Sequence, residues 1–344
     1  MMRIPMMVEL CAGTAALSLR LARSKARPPV SRMGSKAGYA DAILSRMGLH
    51  PGQGADHYLL CEPDDGCRLL LEAYRDRALA QAAAEHIRGW KDEEPRALWE
   101  RLRKEGPAKC PPVDPREVAR WQCVLGSMWV HKQDGRPVAG WMWCPDKPHQ
   151  REHATRLATL PTLPATITDD ARTVDPREVA RWVAVMAGSL GGSGRSPTKF
   201  DSYGHNPTTG ERFPGNPAMA AATRLATLPT LPATITDDAR TVDPPQLPTG
   251  SWVYIDPPYV GTTGYGHSLG RPEVIGLARR WREAGAHVAV SEAEPIVELI
   301  ADGWHTHELT RERVGQKRTF SKQQREVLTM SRVPAGQMGL WGGR

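Results

Sequence analysis

A chain of 344 residues with 40% hydrophobic and 24% charged residues can bury a substantial core, enough for one catalytic domain plus an insertion. No membrane-length apolar run or signal peptide appears, and the six cysteines show neither a CxxC pair nor secretory spacing, so the expectation is a soluble, cytoplasmic chain without a disulfide framework. The net charge of +7 favours a polyanionic partner.

The first element is an apolar run, Met6 to Leu10, interrupted by Glu9. Cys11-Ala-Gly13-Thr14 reads as a turn and Leu17, Leu19 and Leu21 as a helix, with Thr14 placed to cap it and Gly13 permitting close approach of a cofactor. No GxGxxG is present and no Gly-Lys-Ser/Thr follows the turn, so dinucleotide and nucleoside-triphosphate binding are disfavoured. With an acid at position 9, a cationic cofactor fits better. From Arg20 to Lys36 there are six basic residues and no acid, and Arg27 and Arg32 are candidate phosphate contacts.

His57 to Cys61 reads as a second strand, ending at Glu62, whose carboxylate can accept from both hydroxyls of a ribose. A helix from about Gly66 to His86 follows, with Asp64 and Asp65 as caps. From 92 to 248 the chain is rich in proline and tryptophan and repetitive: residues 113–121 recur at 174–182, and 154–176 recur at 222–244. In the copied helix starts Asp114 and Asp175 fit N-cap positions, with Glu117 and Glu178 at N3 of a capping box. The copied TLPTLPATIT segments read as extended connectors. A glycine-rich stretch then carries Arg195 and Lys199 as further phosphate contacts.

Trp252 to Ile255 reads as a buried strand that stops at Asp256-Pro257-Pro258-Tyr259. Two prolines fix φ, remove N–H donors and hold each preceding residue extended, so a stiff loop leaves the strand. That loop offers a planar amine the Asp256 carboxylate, the Pro257 carbonyl and the face of Tyr259. An ordinary Asp, with a pKa of roughly 3.9, is too weak a base to deprotonate an arylamine, so its role is to hold the amino group and accept growing positive charge. A helix at Pro272–Glu283, strands at Ala286–Glu292, Trp304–Leu309 and Val327–Met330, and a basic stretch with Lys317, Arg318 and Lys322 complete the chain.

Glu9-Leu-Cys-Ala-Gly13, Glu62-Pro-Asp and Asp256-Pro-Pro-Tyr259 together resemble the cofactor loop, ribose-binding acid and catalytic loop of Dam-like DNA adenine-N6 methyltransferases. The resemblance implies a Rossmann-like, doubly wound, mostly parallel sheet with an antiparallel final strand and a target-recognition insertion. It implies S-adenosylmethionine bound by Glu9, Cys11, Gly13, Thr14, Glu62 and Asp256, with Glu9 compensating the sulfonium charge. Gly34, Ser35 and Lys36 are similar to a family element beside the cofactor's carboxylate, although here they follow the first glycine loop where the family has them before it. Asp256, Pro257, Pro258 and Tyr259 would act on a base flipped from double-stranded DNA. The basic stretch at 317–322 would border the DNA, no metal would be required, and the protein would act as a monomer or homodimer. The corresponding division is 1–91 and 249–344 for the catalytic part and 92–248 for DNA recognition. Cytosine N4, an RNA target and a catalytically inactive DNA-binding protein are the alternatives.

Overall fold

The computed structural model describes residues 2–30, 34–107, 109–112, 174–189, 203–205, 212–214, 216–244, 246–259, 267, 269–309 and 326–332. In chain order the elements are β1 (Ile4–Leu10), α1 (Ala16–Ala22), a 3-10 turn (Lys36–Gly38), α2 (Ala40–Arg46), β2 (Ala55–Cys61), α3 (Asp65–Arg75), α4 (Arg77–Gly89), α5 (Pro95–Lys104) and α6 (Pro176–Ala187). There follow a small antiparallel hairpin, β3 (Tyr203–His205) and β4 (Arg212–Pro214), then α7 (Pro217–Ala226), β5 (Ala233–Thr236), β6 (Trp252–Ile255), α8 (Arg271–Glu283), β7 (His287–Glu292), α9 (Val297–Ala301), β8 (His305–Glu308) and β9 (Val327–Met330).

Alternation along the inner strands decides the layers. Met7, Tyr58, Leu60, Trp252 and Tyr254 pack into one apolar cluster with α1 to α7, whereas Met6, Val8, Leu10, Leu59, Cys61, Val253 and Ile255 pack into a second with α8 and α9. Strands covered on both faces are the signature of a parallel α/β sheet. The seven strands run in the order β5-β2-β1-β6-β7-β9-β8. β5, β2, β1, β6 and β7 pair in parallel, and β9, the last strand among the described residues, is antiparallel to both of its neighbours. The fold is therefore α/β with a mixed, mostly parallel sheet, consistent with a Rossmann-like architecture. From β1 the chain works outward through β2 to β5, returns beside β1 as β6, and works outward the other way to β7. The order reverses between β1 and β6, and ligands of open α/β sheets bind at the carboxyl ends of strands at such a reversal.

Several expectations change. The single helix expected at 66–86 is two, because Asp76 leaves the helical region (φ −116°, ψ 110°) and its carboxylate accepts from the N–H groups of Ala78 and Leu79, starting α4. Asp175 caps α6 through Arg177 N, but the Glu178 carboxylate turns to Lys109 N and Arg181 and does not close a capping box. The stretch read as a connector contains β5, which pairs with β2 because its buried Ile235 completes the first cluster. α5, α6 and α7, from the range 92–248, pack into that same cluster with the helices of the first 91 residues. Of the three copies of Val-Asp-Pro in the sequence, the two among the described residues also diverge. Val174-Asp175-Pro176 opens α6, whereas Val242-Asp243-Pro244 is irregular. Pro245 follows the latter copy and keeps Pro244 out of the helical region.

The α3 to α6 contact leaves no room at Gly66. A β-carbon there would sit 1.8 Å from the Trp182 indole nitrogen. Gly66→Ala is expected to cost about 1–3 kcal/mol, read as a lowered urea midpoint. A second prediction concerns the repeat. The seven strands all lie outside 113–173, Lys109 N is already 3.2 Å from the Glu178 carboxylate, and joining Pro112 to Val174 recreates the native Pro112–Val113 junction. Removing residues 113–173 is expected to leave cooperative thermal unfolding intact. Its loss would show that the body depends on that segment.

Candidate active site

The carboxyl ends of β1, β2 and β6 are tied together by backbone: Asp256 N donates to Leu10 O (3.2 Å) and Ala12 N to Cys61 O (2.8 Å). Between them the chain turns through three left-handed residues, Cys11 (φ 61°), Gly13 (φ 54°) and Ala15 (φ 45°). Two of these are not glycine, and each such residue costs of order 1–3 kcal/mol, a strain that concentrates at functional sites. A β-carbon on Gly13 would meet nothing within 4 Å, so this turn faces open space. Gly13 N donates to Glu62 Oε2 (2.6 Å) and Asp64 N to Glu62 Oε1 (3.0 Å). The buried Glu62 thus locks the β1 turn to the end of β2. Burial, then Glu62 and Asp256, push the Cys11 thiol well up, with smaller contributions from Cys61 and Asp238, so it is no nucleophile. Asp238, just past β5, therefore belongs to the same acidic rim. Reading ATIT as a connector hid it, since its signal is its place beyond a strand.

Glu9 and Thr14 do different work from that expected. The cap residue of α1 is Ala15, which has no side-chain cap bond, and the buried Glu9 carboxylate accepts instead from Ser18 N (2.5 Å). An acid under a helix N-terminus satisfies an otherwise orphaned donor and the helix dipole. Burial is the largest influence on Glu9 and raises its pKa to about 7, against the lowering effect of the Ser18 hydrogen bonds. A carboxyl engaged in this way is poorly suited to compensate a sulfonium. Thr14 Oγ1 lies 3.1 Å from Ser35 Oγ, which draws the Gly34-Ser35-Lys36 segment onto the β1 turn.

Lys36 reaches the Asp256-Pro257-Pro258-Tyr259 loop. Its ammonium is 2.7 Å from Asp256 Oδ1, 3.7 Å from Glu326 Oε1, 3.3 Å from Gly34 O and 4.6 Å from the centroid of the Tyr259 ring. The Lys36 and Asp256 side chains are only 7% and 17% exposed. Tyr259 donates its hydroxyl to Glu326 Oε1 (2.5 Å), and Ser291 at the end of β7 donates to the same oxygen. Burial, then Asp256 and Glu326, raise the Tyr259 phenol well above its ordinary range, so it stays protonated and keeps donating. Glu292 joins the rim, its pKa raised by burial. Sequence reasoning missed Glu326 and Ser291. Glu326 precedes a predicted strand in a basic stretch and carries no local signal; only the antiparallel seating of β9 beside β7 brings it here.

Of the residues expected to meet phosphate, Arg27 alone is described. It is exposed and, after burial, it is the influence that lowers the pKa of Arg224 in the last turn of α7. Nearby, Arg23 donates to Thr227 O, while Arg20 O and Leu21 O accept from Gly52 N and Gly54 N ahead of β2. This groups Arg27 with α7 and the amino-terminal rim of the sheet, not with Asp256. Arg32, Arg195, Lys199, Lys317, Arg318 and Lys322 lie outside the described residues. Among the described residues no group of three or more His, Cys, Asp or Glu is placed to hold a metal ion. No family model matches the chain, and no curated protein matches it.

The state of Glu9 has a measurable consequence. Its folded pKa of about 7 lies above its ordinary 4.5, so its contribution is fully present below pH 4.5 and is lost as pH rises through 7. Glu9→Gln keeps an acceptor for Ser18 N and has no proton to lose. It is expected to flatten the fall in unfolding free energy between pH 5 and 8 by up to about 3 kcal/mol, measured by urea titration at both pH values.

Proposed function

We propose that the protein is an S-adenosylmethionine-dependent DNA methyltransferase acting on adenine N6 of a flipped base. The observation that carries this reading is the convergence of the Gly13 turn, Glu62 and Asp256-Pro257-Pro258-Tyr259 on the carboxyl ends of three adjacent strands at the sheet's reversal point. The residues present suit the donor. Gly13 faces space into which its missing side chain would have projected, and the Glu62 carboxylate, the acceptor suited to ribose hydroxyls, is bonded directly to the Gly13 N–H. The donor supplies a methyl group on a sulfonium, and everything else is positioning and charge. Asp256 and the Pro257 carbonyl accept from the target amine, Pro258 stiffens the loop, and the Tyr259 ring takes the base face. Held geometry and exclusion of water supply much of the acceleration, with Asp256 stabilising positive charge as it grows on the amine nitrogen. The net charge of +7 supports a nucleic-acid partner, and no helix among the described residues is long and apolar enough to cross a membrane.

Incubation with unmodified DNA and a methyl-labelled donor, followed by nucleotide-resolution mapping, is expected to find N6-methyladenine. N4-methylcytosine would move the same site to its other candidate base. Asp256→Ala is expected to reduce transfer by roughly 10²-fold or more while leaving donor binding within several-fold of wild type. Native turnover in that variant would remove Asp256 from its role.

A further inference from the structure

The Lys36 ammonium makes the contacts that the amine of a substrate would need. It lies on Asp256 Oδ1 at 2.7 Å and over the Tyr259 ring at 4.6 Å, so the ring face it covers is the one beside Asp256. A base whose amine bonds to Asp256 must stack on that face. While Lys36 is there, the face is covered and the carboxylate is already neutralised, which weakens its ability to stabilise positive charge developing on a second nitrogen. Lys36 also has somewhere to go. Glu326 Oε1 is 3.7 Å from its nitrogen, and a movement of about 1 Å on a flexible four-carbon stem reaches ordinary charge-assisted hydrogen-bond distance. The transfer exchanges one carboxylate partner for another, so the ammonium is not left buried without a counter-charge, the costly outcome for such a group. Tyr259 and Ser291, both donating to Glu326, hold that receiving carboxylate in place.

We infer that Lys36 is an internal occupant of the target-amine subsite, and that an incoming amino-bearing base displaces it from Asp256 onto Glu326. The inference rests on the methyltransferase reading above. Lys36 is thereby a gate on base entry, with Glu326 as a positioning residue that acts through it. A base without an exocyclic amine has nothing with which to replace the ammonium on Asp256, so the gate adds discrimination to the loop's own contacts.

Steady-state transfer of labelled methyl groups to bulk unmodified DNA tests this with wild type, Lys36→Met, Glu326→Gln and the double variant. Glutamine preserves an acceptor for Tyr259 and Ser291 and removes only the charge that draws Lys36. Lys36→Met is expected to lower KM for DNA by about three- to tenfold, and Glu326→Gln to raise it by a similar factor with a smaller change in kcat. In the Lys36→Met background the Glu326→Gln effect on KM should vanish. An unchanged or higher KM in Lys36→Met, or an equal Glu326→Gln effect in both backgrounds, would overturn the inference and leave the methyltransferase reading standing. Absence of transfer by wild type would overturn that reading and this inference with it. If thermal unfolding shows that Lys36→Met does not fold, Lys36→Gln carries the same expectation.

Discussion

The parallel pairing of β1 with β6 is the constraint on which the site depends. Met7 to Leu10 run in register with Trp252 to Ile255, so the residues that follow both strands, Cys11 and Asp256, leave the sheet at one level. These segments are more than 240 residues apart in the chain. A register slip of one position would exchange the two apolar layers along β6 and carry the Asp256 loop out of line with the Gly13 turn. The two separate hydrophobic clusters oppose that slip, since Val253 and Ile255 belong to one and Trp252 and Tyr254 to the other. Packing of the sheet faces therefore sets the geometry at its edge.

At that edge the protein tolerates a concentration of acids, Glu9, Glu62, Asp238, Asp256, Glu292 and Glu326, by giving several of them specific donors. Glu9 receives a helix N-terminus, Glu62 two loop N–H groups, and Asp256 and Glu326 share the ammonium of Lys36. Burying charge without partners costs several kcal/mol per group, so these contacts are conditions for the fold as much as features of the site. Lys36, shared between Asp256 and Glu326, couples two of these acids from separate parts of the chain.

Much of this was legible in the residues. β-branched and aromatic runs ending in Asp256-Pro-Pro or Glu62-Pro marked strand ends, and β9 was readable to the residue. Glu9 was visible as an acid in an apolar strand, but its partner Ser18 became apparent only when α1 folded back over β1. Asp76 was masked by good helix formers on both sides of it. β5 was masked by prolines in the segment before it, whose connector-like composition says nothing of the buried slot beside β2 that receives it. Glu326 lay beyond reach because its neighbours Lys36, Tyr259 and Ser291 come from three separate parts of the chain, and no local spacing relates them.

β5 occupies the outer edge of the sheet, and its four residues belong to a stretch that the chain contains twice, letter for letter. Identical peptides hold identical intrinsic preferences, so nothing within those twenty-three residues can tell the edge which copy to accept. Discrimination must come from what is attached on either side: Asn216 and Pro217 launching α7 ahead of the accepted copy, and behind it the buried Leu247, anchored through its N–H to Ala284 O. Strand identity here is an address conferred by neighbours, and a substitution in these flanks can change which copy fills the edge without altering a single residue of the strand.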